Sequence, residues 1–110
     1  ASTFNELVVA DAALANAASK EERIALLAAK ADNSVSFFMN IHARFIFETN
    51  FYAERRRGPI SAERLNELML EAQKQAFCNA LDVWHPHFWC SKLHFYITGV
   101  PFYNFPYTFG

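Results

Sequence analysis

The side chains best suited to chemistry crowd into one stretch, His85-Pro86-His87-Phe88-Trp89-Cys90, with His94 four residues further on. Neutral imidazole nitrogens and a cysteine thiolate are ligands that zinc takes. The spacing, however, matches no common closed zinc site. Two readings stand: a metal site of its own or, favoured by the spacing, side chains with unrelated packing and hydrogen-bonding roles.

Carboxylates are the other reagent. Glu6, Asp11, Glu21, Glu22, Glu48, Glu54, Glu63, Glu67, Glu71 and Asp82 fall mostly on polar helix faces, where each is by default a solvated charge. No two of them form a convincing acid–base pair. No Ser-His-Asp or Cys-His arrangement is supported by sequence order. Read alone, these residues do not give an enzyme.

Helices must position these groups. Only Gly58, Gly99 and Gly110 are glycines, and no Asn-Gly or Asp-Gly hairpin signal occurs. Phe4, Leu7, Val8 and Leu14 predict a helix over about 3–18. Ser19 with Glu22 makes a capping-box pattern. From there Ile24, Leu27, Ala31, Val35, Phe38, Ile41 and Phe45 keep a helical period to about residue 57, as one long helix or two joined near Asp32-Asn33. Arg55-Arg56-Arg57 followed by Gly58-Pro59 reads as a helix stop, with cations at the negative dipole end; a phosphate-binding role is the lesser alternative. Ser61 caps a helix over about 61–81 whose buried face is Leu65, Leu68, Met69, Ala72, Ala76 and Phe77. The fold class is all-α.

After Asp82 the character changes. Residues 83–110 hold ten aromatics, three of the four His and three of the four Pro, and read as a loop-rich segment of short turns. Aromatic and imidazole side chains concentrated on loops make a surface suited to contact.

Composition narrows the class further. A net charge of −1 offers no electrostatic case for a nucleic-acid or membrane-surface partner. With 53% apolar residues there is material for one core in 110 residues. No apolar run approaches the roughly 18 residues a bilayer span needs. Cys78 and Cys90 read as reduced thiols of a cytoplasmic protein. The start, Ala1-Ser2-Thr3-Phe4, has neither the basic nor the apolar region of a signal peptide. Both ends read as cuts through a longer chain.

The stretch Trp89-Cys90-Ser91-Lys92-Leu93-His94-Phe95-Tyr96-Ile97-Thr98, with Pro101-Phe102-Tyr103-Asn104-Phe105-Pro106-Tyr107-Thr108-Phe109-Gly110 after it, closely resembles the late catalytic region of oligoendopeptidase F-like zinc metallopeptidases, of the thimet-oligopeptidase superfamily. Ala1-Ser2-Thr3-Phe4-Asn5-Glu6 is similar to that family's segment after its third zinc ligand. Phe37-Phe38-Met39-Asn40-Ile41-His42-Ala43-Arg44-Phe45 with Phe47-Glu48, and Arg64-Leu65-Asn66-Glu67-Leu68-Met69, look like two of its helices. The resemblance implies part of a zincin-type helical catalytic domain that hydrolyses internal bonds of short peptides. It implies Zn2+ in the full-length parent. The His-Glu-x-x-His motif and third ligand would lie upstream of Ala1, so this chain would hold no metal and be inactive alone. The remainder of the peptidase domain would be its partner, and self-association would follow from the apolar surface left uncovered.

By the same resemblance, Tyr107, then His94, then Tyr103 donate hydrogen bonds to substrate and oxyanion. Aromatic packing is the alternative for the tyrosines. Glu6 would lie seven residues beyond the third ligand, about two turns along one helix face, orienting a zinc-binding His through its other ring N–H. As a residue by itself, Glu6 is a solvated helix carboxylate. A reading without the family also stands: a free-standing helical interaction module with an exposed aromatic binding face.

Overall fold

Short polar side chains or a change of backbone hand mark most of the helix ends, and these lay out the molecule. The computed structural model describes residues 2–110, and no strand occurs among them. Helix α1 (Ser2–Ala15) ends where the Asn16 amide turns back to donate to the Ala12 carbonyl at 2.7 Å. Ser19 then caps α2 (Lys20–Val35), its Oγ accepting from the Glu22 N–H at 3.1 Å. The Glu22 carboxylate reaches back to the Ala18 N–H at 2.8 Å, so the capping box closes one residue earlier than its usual form.

No break follows at Asp32-Asn33. The helix widens instead into a π turn, Ser36–Asn40, and continues as α3 (Ile41–Arg55) with helical dihedrals across both junctions. At ~1.5 Å per residue the rod from Lys20 to Arg55 is about 54 Å long, and it accounts for the molecule's longest extent of 57 Å. The radius of gyration, 17.0 Å, exceeds the roughly 13 Å expected of a compact domain this size.

Gly58, at φ +149°, makes the turn after α3 that a side chain would strain. Ser61 accepts from the Arg64 N–H at 3.2 Å and opens α4 (Ala62–Ala76), which returns along α3. Their shared face is the core: Phe47, Leu68, Met69 and Ala72, flanked by Ile46, Leu65, Phe88, Trp89 and Phe95. Leu68 and Met69 are the largest side chains wholly removed from water, each worth about 1.5–3 kcal/mol of apolar burial.

Helix α4 stops at Ala76, five residues short of the expected 81. Asn79 N–H bonds to the Lys74 carbonyl and Cys78 N–H to that of Gln75. That is a Schellman ending, with Cys78 (φ 51°) and Asn79 (φ 56°) in the left-handed region where glycine is usual. Two short 3-10 turns, Phe88–Ser91 and Leu93–Tyr96, and a final helical turn α5 (Phe105–Phe109) follow, in the segment expected to hold short turns and loop.

Helix α1 has no buried residue; Phe4, Leu7, Val8 and Val9 all lie open. A Lys30–Asp11 ion pair at 2.6 Å ties it to α2, an exposed contact worth at most about 1 kcal/mol. Among the described residues no helix is long and apolar enough to cross a membrane.

Candidate functional site

Local bonds first dock the aromatic segment. The buried Gln73 amide pairs with both backbone groups of His85, donating to its carbonyl at 2.8 Å and accepting from its N–H at 3.2 Å. Trp89 Nε1 donates to Asn66 Oδ1 at 2.9 Å. Further on, Arg44 Nη1 donates to Oδ1 of the buried Asn104 at 3.1 Å, and Arg44 Nε to Asn40 Oδ1 at 3.0 Å. Burial holds Arg44 below its ordinary pKa. Thr108 Oγ1 donates to the Phe37 carbonyl in the π turn at 2.6 Å, seating α5.

These anchors bring three of the expected site residues into a row. The His94 ring lies 4.9 Å from that of Tyr103, and Tyr103 lies 6.2 Å from Tyr107. Pairing with the Tyr103 hydroxyl, then the charge Tyr103 would carry, then burial push the Tyr107 phenol above its usual range. It therefore keeps its proton at neutral pH. His94 Nδ1 is buried without a hydrogen-bond partner, so a proton on Nε2 avoids burying an unpaired N–H.

Glu6, exposed on α1, lines the same cleft as Tyr107. The cleft, of about 390 Å³, runs between α1, α2 and α5, with Leu7, Leu26, Phe37 and Phe109 among its walls. No hydrogen bond joins Glu6 to another described side chain.

The other candidates are dispersed. Among the described residues no three His, Cys, Asp or Glu side chains come together as metal ligands. Cys90 Sγ donates to the His87 carbonyl at 2.9 Å, and His85 packs edge-on to Phe88 with centroids 6.0 Å apart. Both cysteines are free and exposed. Arg64, rather than the Arg55–Arg57 run, gathers carboxylates: Glu54 at 2.6 Å, Glu67 at 2.8 Å and Glu71 at 3.3 Å. Hydrogen bonding to Glu54 and then Glu67 raises Arg64, while Arg64 holds Glu54 below the usual carboxylate range.

Glu48 departs from its sequence expectation. It is 5% exposed rather than solvated, and its Oε1 accepts from the Phe102 N–H at 2.7 Å, where Phe102 has φ 58°. Burial pushes its carboxyl up, and the Phe102 bond opposes that. Its position amid Ile46, Phe47 and Phe51 on α3 was the only available signal.

No known protein family, curated protein or solved structure matches the chain.

Proposed function

We propose that this chain is the C-terminal part of the catalytic domain of an oligoendopeptidase F-like zinc peptidase, contributing substrate-side hydrogen-bond donors to the cleavage of short peptides. The observation that carries the reading is the row His94, Tyr103, Tyr107 running to a cleft that Glu6 also lines. Those are the four residues the resemblance singles out, drawn from opposite ends of the chain. Glu6 and Tyr107 line that cleft, and His94 lies on the far side of the Tyr103 ring from Tyr107.

The described residues do not themselves fit a zinc ion, because no three suitable ligands converge. The chemistry of these residues is therefore binding and hydrogen bonding. Attack on a peptide carbonyl concentrates negative charge on its oxygen. Tyr107, protonated at neutral pH, donates to that oxygen by turning its O–H away from Tyr103, and an Nε2–H on His94 is a second. One preorganised donor is worth about 2.7–4 kcal/mol, or ~10²–10³ in kcat. The open faces of α1 and α5, with Phe4, Val9 and Phe109, are then the surfaces on which the rest of the domain packs, and the location is cytoplasmic.

The test is to express the complete reading frame that contains these residues and assay an internally quenched peptide with and without a metal chelator. Chelator-sensitive cleavage is expected, and Tyr107→Phe should lower kcat about 10²-fold with little change in KM. No cleavage overturns the peptidase reading. An unchanged kcat overturns the role of Tyr107. The same open apolar faces support a second reading, a helical interaction module, which cleaves nothing in either condition.

A further inference from the structure

A carboxylate removed from water needs a compensating charge or a full set of donors. Glu48, on α3, has one hydrogen bond, from the Phe102 N–H at 2.7 Å. None of the ion pairs among the described residues includes it. Arg44, one turn earlier on the same helix, is engaged by Asn40 and Asn104 and lies over the Phe88 ring at 5.3 Å.

The same glutamate lines a small cavity of about 190 Å³ walled by Leu65 and by the aromatic side chains of Phe47, Phe51, Tyr52, Trp89, Phe95 and Tyr96. Aromatic faces carry the negative side of the ring quadrupole and attract a cation placed over them. The Trp89 N–H is already given to Asn66, so that ring has no donor left over to repel a positive group. Drug-sized ligands need about 300 Å³ or more. A cavity of this size suits one ammonium group with its alkyl substituents. An acid beside six aromatic side chains is an unusual lining for a site meant to take neutral or anionic ligands.

We propose that this cavity is an aromatic cage for an organic ammonium group, with Glu48 as its counter-ion. The ammonium comes either from a free quaternary amine or from a lysine side chain of a bound peptide. The site shares no lining residue with the Tyr107 cleft, so it stands or falls apart from the peptidase reading.

Calorimetric titration of the protein with choline, with N-acetyl-lysine methylamide and with the neutral carbon isostere of choline tests this. At least one of the two cations should bind saturably, and the isostere should bind about tenfold or more weakly. The tighter cation identifies the source. Glu48→Gln keeps an acceptor for the Phe102 N–H while removing the charge, and should weaken the cation about tenfold or more with the circular dichroism spectrum unchanged. Tyr96→Ala, at a position 53% exposed and so safe for folding, should weaken it as well. The proposal is overturned if neither cation binds or if the isostere binds as tightly. It is overturned equally if cation affinity survives both Glu48→Gln and Tyr96→Ala.

Discussion

Replacing Gln73 tests how the aromatic segment is held to the helices. A carboxamide presents the same donor and acceptor as a peptide unit, and Gln73, 7% exposed on α4, uses both on His85. Its Nε2 also donates to the Met69 carbonyl at 3.2 Å. Gln73→Ala removes the two bonds between segments and leaves the His85 N–H without a protein partner, while the His85 carbonyl keeps the Phe88 N–H at 3.2 Å. At ~0.5–1.5 kcal/mol net per bond the loss is about 1–3 kcal/mol. His85 is itself exposed, so water recovers part of it and the lower half of that range is expected. A domain of this size loses about 4–8 °C in Tm per kcal/mol. Gln73→Glu keeps the acceptor for the His85 N–H but sets a carboxylate against the His85 carbonyl, and should cost at least as much as alanine. Urea unfolding measures the global loss, and amide exchange across residues 85–96 shows whether the segment is released locally. An alanine variant within about 0.5 kcal/mol of the parent, the range of ordinary surface changes, with exchange unaltered, would refute the docking argument.

Two further outcomes follow from burial. Glu48 has a pKa raised by burial, so the folded protein keeps a proton that the unfolded chain gives up; stability contributed at that site is greatest at acid pH and falls as pH rises from the ordinary glutamate range through the raised value. The difference in unfolding free energy between the parent and Glu48→Gln, measured without ligand across that range, should follow this fall, and a difference that is flat or rises contradicts it. Leu68→Ala, at a residue 1% exposed in the core, should cost about 2–5 kcal/mol in denaturant unfolding. A cost below that of an ordinary surface change would mean that α3 and α4 do not pack through Leu68.

The helix ends were legible wherever a local rule applies. Ser19, Ser61 and the Arg57-Gly58-Pro59 stop lie where their residue types place them, because each partner is within four residues in the chain. The end of α4 was not legible: Cys78 and Asn79 take up left-handed dihedrals that sequence reasoning reserves for glycine. The π turn was equally silent, since it preserves the apolar stripe on both sides while adding width to one turn.

What the sequence determined by itself is therefore the all-helical class, the placing of most helices and the aromatic character of the last segment. Periodicity and capping act over one or two turns and need no knowledge of the rest of the chain. Tertiary structure alone decided that Glu48 is buried and holds Phe102, 54 residues away, and that Arg44 meets Asn104 across 60 residues. It also decided that Thr108 reaches the Phe37 carbonyl across 71 residues, which sets Tyr107 beside the cleft lined by Glu6. Such pairings depend on how α3, α4 and the aromatic segment share one thin core, and no spacing rule in the sequence encodes a contact over that distance.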